Sequence, residues 1–219
     1  MKTIVLSSAL VASAFTSMAN AAPATLLDLT KASWPAARLS NSVLIIVDAQ
    51  REYAECKLPL TGIHEAVDQI STLLARARNA GTPVVHVVQR SPKGRTVFEV
   101  DSPMAEEFPS LTPREGEIIT PKQLPNSFAG TTLDATLQKI GRKDLIVVGF
   151  MTHMCISATV RSALDHGYRC TVVGNCCATR DLPDGAGGTV SAGEVHRIEL
   201  AALRDRFATI AVSTDDIKD

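Results

Sequence analysis

The chain has 219 residues, of which 45% are hydrophobic and 21% charged, and its formal net charge is -1. That length suits one globular domain with a single sizeable core, and the composition is that of a soluble protein. A charge so close to zero argues against nucleic acid or an anionic membrane surface as partner.

The first residues read MKTIVLSSALVASAFTSMANAAPA. Lys2 supplies a short positive start, Ile4 to Phe15 an apolar stretch too short to span a bilayer, and Ala19-Asn20-Ala21 a small-residue cleavage site. Residues 1–21 are therefore expected to be a signal peptide. A cut after Ala21 is favoured over one after Ala22, which would leave Pro23 next to the cut. Removing the leader takes away one lysine and no acid, so the remaining domain, residues 22–219, is one unit more negative. The expected location is periplasmic or secreted. Five cysteines remain: Cys56, Cys155, Cys170, Cys176 and Cys177. An odd number leaves at least one thiol unpaired if bridges are internal, and a chain this long needs none for its core.

After a polar lead from Ala22 to Ser40, strand and helix signals alternate. Val43 to Val47 is a continuous apolar run ending at Asp48, as expected of a strand buried on both faces. A helix is predicted over about 64–80, with Ile70, Leu73, Leu74 and Ala77 at helical spacing and Gly81 as its stop. Pro83 to Val88 reads as a second strand. Residues 91–115 are rich in Pro, Arg and Glu without a period, which suggests a long functional lid. Ile118 to Thr120 is a short third strand, followed by Pro121 and Lys122. A helix over 131–140 leads to a fourth strand, Leu145 to Phe150. This strand runs straight into a helix ending near His166, with Cys155 in its first turn. Cys170 to Val173 is a fifth strand, 191–207 a helix, and Thr209 to Val212 a sixth strand.

Such alternation predicts a three-layer, doubly wound, Rossmann-like α/β fold: a mainly parallel six-stranded sheet with helices on both faces, in one domain. Ligands of such sheets bind at the carboxyl ends of the strands, near the reversal of strand order. Asp48, Lys122 and Cys155 all fall at those ends. A thiol is a weak nucleophile until it loses its proton, and a helix start favours the anion. A neighbouring carboxylate can take that proton, and an ammonium can stabilise the negative charges. Singly, each residue has a plainer reading: a buried cysteine as a small hydrophobe, an aspartate as a cap, a lysine as a solvated charge.

Together they resemble the isochorismatase-like cysteine hydrolases. The residues that carry the resemblance are Val47-Asp48-Ala49-Gln50 with Tyr53, and Lys122-Gln123-Leu124-Pro125-Asn126-Ser127-Phe128. Gly149-Phe150-Met151-Thr152-His153-Met154-Cys155 follows, with Thr159, Arg161, Ala163, Gly167 and Tyr168. Cys177-Ala178-Thr179-Arg180-Asp181 and the segment from Val195-His196 to Phe207 complete it. The resemblance implies an Asp48–Lys122–Cys155 triad, a cis peptide at Phe150-Met151, and an oxyanion hole made by the N–H groups of Met151 and Cys155. It also points to Gln50, Tyr53 and Phe128 as pocket-forming, substrate-binding residues.

Departures from the family narrow the chemistry. Metal-holding relatives carry an Asp-x-His motif soon after the first strand. Residues 51–62 hold no histidine and His64 stands alone, so no metal and no other cofactor is expected. Members that split vinyl ethers commonly lack the cysteine, so Cys155 favours an amide, ureido or related acyl substrate. Asn175 stands where many relatives have aspartate.

Rival readings are weaker. His153, two residues before Cys155, projects about 200° away around a helix. His86 lies inside an apolar strand and reads as a satisfied core histidine. Gly185-Ala186-Gly187-Gly188 follows the fifth strand, not the first, and lacks the spacing of a phosphate loop. Cys176-Cys177 lacks the C-x-x-C spacing of a redox pair. The expected activity is an exported cysteine hydrolase acting on a C–N bond of a small molecule. The alternatives are a binding or thiol-redox protein on the same fold, or a vinyl-ether hydrolase of isochorismatase type. The expected partners are the small-molecule substrate and further copies of the chain, with neither nucleic acid nor, after leader removal, membrane.

Overall fold

The computed structural model describes residues 23–219, and the expected signal peptide lies outside the described residues. Six strands form one sheet: β1 Ser42–Val47, β2 Val84–Gln89, β3 Ile118–Lys122, β4 Asp144–Phe150, β5 Arg169–Ala178 and β8 Ala208–Ala211. A separate antiparallel ribbon pairs β6 Leu182–Pro183 with β7 Thr189–Val190. The helices are α1 Leu26–Leu29, α2 Glu52–Glu55, α3 Ile63–Asn79, α4 Leu133–Ile140, α5 Ser157–Asp165 and α6 Ala192–Arg206. No helix among the described residues is long and apolar enough to cross a membrane.

The sheet order is β3-β2-β1-β4-β5-β8, with every neighbouring pair parallel. This is the expected doubly wound α/β architecture. All six residues of β1 are buried because both faces of the sheet are covered. Leu44 and Ile46 face a core shared with Ile63, Ala66, Val67, Ile70, Leu73, Leu74 and Ala77 of α3. That spacing is one stripe of a helix. Val43, Ile45 and Val47 face the opposite core, filled by Leu133 and Leu137 of α4, Val160 and Ala163 of α5, and Leu203 of α6. The chain winds outward from β1 to β3, then returns to lay β4 against the free side of β1. The order therefore reverses between β1 and β4, and the carboxyl ends of these two strands meet at the crevice.

Three local differences from the sequence reading have physical causes. β3 runs on through Pro121 to Lys122 rather than ending at Thr120, and Lys122 is paired in register with Gln89. β5 runs on to Ala178 rather than ending at Val173, because Cys176, Cys177 and Ala178 are buried beyond the Gly174-Asn175 interruption. The lid is packed rather than structureless. It contains two short 3-10 turns, Pro103–Ala105 and Pro109–Leu111, and buries Phe98, Ala105, Phe108 and Leu111.

His86 ties this segment down. It is fully buried, with Nδ1 2.9 Å from Glu107 and Nε2 3.1 Å from Glu117, and Glu117 is held in turn by Arg78 at 2.8 Å. The glycine-rich stretch is the turn of the β6–β7 ribbon. The Asp184 carboxylate accepts its Ala186 and Gly188 N–H groups at 2.7 and 2.8 Å, so those donors are already spent on an anion of the chain itself.

Candidate active site

Asp48 follows the last residue of β1 in the left-handed region, φ +50°, a conformation rare for a residue with a side chain and tolerated best by Asp and Asn. Its N–H still donates to the Val87 carbonyl oxygen at 2.8 Å, and its own carbonyl accepts from Gln50 at 2.8 Å. The chain thus turns sharply at the end of the strand.

Across the crevice, Gly149 lies in register with Val47 at φ +117°. A Cβ built on Gly149 would sit 2.0 Å from the Val47 carbonyl oxygen. Only glycine lets β4 approach β1 at this point, and that approach brings the two strand ends together. The peptide Phe150-Met151 is cis, as the resemblance implied.

Beyond it the chain makes a π turn, Thr152–Ile156, before α5 begins. The turn replaces the regular first helical turn expected from the sequence, and it places Cys155. The Met151 carbonyl accepts from the N–H groups of Met154 and Ile156 at 3.0 and 3.2 Å. Thr152 is held behind the turn by the Ala178 carbonyl at 3.1 Å and by His196 Nδ1 at 2.9 Å.

The structure brings Asp48, Lys122 and Cys155 into one cluster. Lys122 Nζ lies 2.7 Å from Asp48 Oδ2, and neither side chain has exposed surface. Nζ donates to Gln89 Oε1 at 2.8 Å and to Cys155 Sγ at 3.4 Å. Neither Asp48 oxygen has a well-aligned hydrogen-bond donor. The Lys122–Asp48 contact is therefore chiefly coulombic, with the directed bonds of the ammonium going to Gln89 and the thiol.

Burial pushes the Asp48 carboxyl above its ordinary range, and the Lys122 charge only partly offsets this. Burial and then the Asp48 charge push the Cys155 thiol up to about 12, against the opposing pull of Lys122. The expectation of a thiol acidified by a helix start is thus overridden. Both effects favour the protonated thiol, which stands beside a carboxylate able to accept its proton.

A cavity of about 280 Å³ opens over Asp48 and Cys155. Tyr53 and Met151 line it, joined by Val97 and Phe98 from the lid. Tyr53 also packs edge-on against Phe98 at 5.1 Å. The other two pocket candidates lie elsewhere. Gln50 is fully buried: its Nε2 donates to the Gln89 and Ala105 carbonyls at 2.9 and 2.6 Å, and its Oε1 accepts from Gln89 N–H at 2.8 Å. It braces the strand end and the lid rather than facing the cavity. Phe128 stacks on His166 at 4.7 Å and on Tyr168 at 6.0 Å, inside the core on the α4–α5 side.

Sequence reasoning missed Gln89, which holds the Lys122 ammonium, and it missed the wall residues Gln123, Met154 and Arg180. Arg180 stands inside the Cys177–Asp181 motif, and that position was the available signal. His153 contacts Thr179 at 2.5 Å and makes no bond to Cys155. All five cysteines are free. Among the described residues, no group of three or more His, Cys, Asp or Glu side chains is placed to hold a metal ion.

The isochorismatase domain model matches residues 42–215. A secreted isochorismatase effector of Verticillium dahliae is 40% identical over 179 residues, covering 82% of this chain and 92% of that protein. Maleamate amidohydrolase of Pseudomonas putida is 30% identical over 154 residues, covering 63% of this chain and 72% of that protein. The crystal structure of an isochorismatase from Pseudomonas putida matches with a TM-score of 0.86 at 44% identity, covering 90% of this chain and all of the other. The domain match begins at β1 and extends past β8, taking in every strand that builds the crevice, and on that ground the chain belongs to the isochorismatase family and is a hydrolase of that family.

Proposed function

We propose that the chain is an exported cysteine hydrolase that cleaves an amide- or ureido-type C–N bond of a small molecule through a thioester acyl-enzyme. One observation carries the reading. The Cys155 thiol sits buried at the cavity floor, 3.4 Å from the Lys122 ammonium, with the Asp48 carboxylate paired to the same ammonium at 2.7 Å. A vinyl-ether hydrolysis needs no acyl-enzyme and gives such a thiol no task. The relationship to maleamate amidohydrolase supports C–N chemistry. The leader-like start, together with the relationship to a secreted effector, supports export.

The proposed reaction begins as Cys155 Sγ attacks the substrate carbonyl carbon while its proton passes to Asp48. The N–H groups of Met151 and Cys155 hold the oxygen that gains charge, and losing one such donor typically costs about 10²–10³ in rate. The tetrahedral centre collapses, the C–N bond breaks, and the Asp48 proton leaves with the nitrogen. A water then gives a proton to Asp48 and attacks the thioester carbonyl, and Asp48 returns that proton to the departing thiolate. Lys122 balances negative charge throughout. Tyr53 bounds the site, with Phe98 above it.

The test is intact-mass analysis of rapidly quenched enzyme with a panel of small amides and ureido compounds. A substrate should leave an acyl adduct on Cys155, and Cys155→Ala should remove both adduct and turnover. Hydrolysis of a confirmed substrate at the wild-type rate by Cys155→Ala would sink the thioester mechanism.

A further inference from the structure

We infer that His196 is a positioning residue for the nucleophile: through Thr152 it holds the π turn that presents Cys155 and the N–H groups of the oxyanion hole. The inference rests on the hydrolase reading above and adds a residue that stands outside the cavity over Cys155.

A π turn is rare, and the ordinary helix competes with it for the same N–H groups. Here the Ile156 N–H reaches back to the Met151 carbonyl at 3.2 Å and the Ser157 N–H to the Thr152 carbonyl, each five residues upstream. Returning to the four-residue spacing of an α-helix would rotate Met151 relative to Cys155 by up to about 100°, one residue's share of a helical turn. The two N–H groups would then no longer converge on one oxygen.

What holds the turn is tied to its first residue. Thr152 is fully buried, with its Oγ1 3.1 Å from the Ala178 carbonyl and 2.9 Å from His196 Nδ1. A hydroxyl has one proton to give and two lone pairs to offer. Given to the carbonyl, that proton leaves Oγ1 free to accept an Nδ1–H, and both neighbours are satisfied. Given to Nδ1, it leaves the carbonyl without its side-chain donor. Burial holds the His196 ring below its ordinary value, which favours the neutral form with a single N–H, placed on Nδ1. Thr152 is thus fastened to the end of β5 and to α6 at once. His153, the next residue of the turn, is fastened to Thr179 of the same β5 extension.

α6 is a firm support for this contact. Ser191 and Glu194 form a capping box at its start, and the Asp181 carboxylate accepts the Ala192 N–H at 2.7 Å. One turn beyond His196, Glu199 takes the Arg161 guanidinium of α5 at 3.1 Å, and Leu203 is buried in the core. The ring also borders a separate cavity of about 310 Å³, with Thr61, Glu65 and Asn175, and its Nε2 makes no hydrogen bond among the described residues. Nδ1 is therefore the atom through which His196 acts.

The test compares two reactions of Cys155. p-Nitrophenyl acetate acetylates a thiol: the S–C bond forms at the carbonyl carbon, p-nitrophenolate leaves, the thiol proton is lost to Asp48, and the carbonyl oxygen passes through an anion. Iodoacetamide alkylates the same thiol by displacing iodide, and no oxyanion forms. With enzyme in excess, p-nitrophenolate release above that of Cys155→Ala reads acetylation, and peptide mass reads alkylation. The ratio of the two rates cancels the exposure and protonation of the thiol and reports the placement of the Met151 and Cys155 N–H groups. His196→Ala should lower this ratio by about tenfold or more, short of the roughly 10²–10³ of a donor lost outright. His196→Asn, whose amide can donate from near the Nδ1 position, should keep most of the ratio, whereas His196→Gln, whose amide lies near Nε2, should not. Thr152→Val should match His196→Ala, and the two together should go no lower than either alone.

Urea unfolding of each variant is measured alongside. A residue that merely supports the fold would lose stability on replacement and leave the ratio unmoved. An unchanged ratio in His196→Ala, equal ratios in His196→Asn and His196→Gln, or losses that multiply in the double variant each overturn the inference while leaving the nucleophile assignment intact. Should His196→Ala fail to fold, the contrast between the Asn and Gln variants, with Thr152→Val, decides. A wild type that releases no more p-nitrophenolate than Cys155→Ala rejects the hydrolase reading, and this inference with it.

Discussion

Replacing Lys122 with methionine removes the ammonium from a pair whose members are both fully buried, 2.7 Å apart. The Asp48 carboxylate is then left in the interior without a counter-ion, a change that typically costs about 3–5 kcal/mol. Asp48→Asn leaves the ammonium stranded instead, at a similar cost. The double variant buries no net charge. It should therefore be less destabilised than the sum of the single variants by about 3 kcal/mol or more. Urea unfolding, followed by far-UV circular dichroism and by the single tryptophan, Trp34, measures all three.

A pH arm adds a sign. In the wild type, burial already places the Asp48 carboxyl above its ordinary value despite Lys122, and in Lys122→Met that value rises further. A raised carboxyl binds its proton more tightly folded than unfolded. Its contribution to stability is therefore complete below the unfolded pKa, about 4, and is lost as pH climbs through the folded one. The deficit of Lys122→Met against wild type should accordingly narrow as pH falls from 7 towards 4. Losses that add to within about 0.5 kcal/mol, with a deficit independent of pH, would refute the buried pair.

Three further outcomes are expected. Gly149→Ala puts a carbon 2.0 Å from the Val47 carbonyl oxygen at φ +117°, so destabilisation beyond about 4 kcal/mol is expected; a wild-type melting temperature would remove the close-approach account of the crevice. Because the Cys155 thiol is pushed up to about 12, its alkylation by iodoacetamide should still be climbing with pH from 6 to 9. A plateau near neutrality would mean a thiolate already present at rest. Gln50→Ala takes the side-chain partners from the Gln89 carbonyl and N–H, while the Ala105 carbonyl keeps Arg90 Nη1 at 2.6 Å, and should cost about 2 kcal/mol in urea unfolding. Unchanged stability with weakened substrate binding would instead return Gln50 to the pocket.

Much was legible in the chain itself. Continuous apolar runs such as Val43 to Val47 announce strands covered on both faces, because period-2 alternation disappears when neither face meets water. The α3 stripe was equally plain, since apolar side chains recurring every 3.6 residues line up on one side only when the backbone is helical. Asp48, Lys122 and Cys155 stood at strand ends, where a doubly wound sheet gathers ligands, so their roles could be expected before their distances were known.

The tertiary structure decided what depends on contacts between segments distant in sequence. It assigned the lid its packing, because Gln50 and His86 reach it from the sheet and no local period records such bonds. It moved Gln50 and Phe128 out of the cavity and put Gln89 and Arg180 into the site, since a motif fixes residue types but not the direction in which each side chain points. It also set the charge state of the nucleophile. Local position at a helix start favours a thiolate, but burial and the facing carboxylate oppose it more strongly, and both arise only when β1, β3 and β4 are brought together.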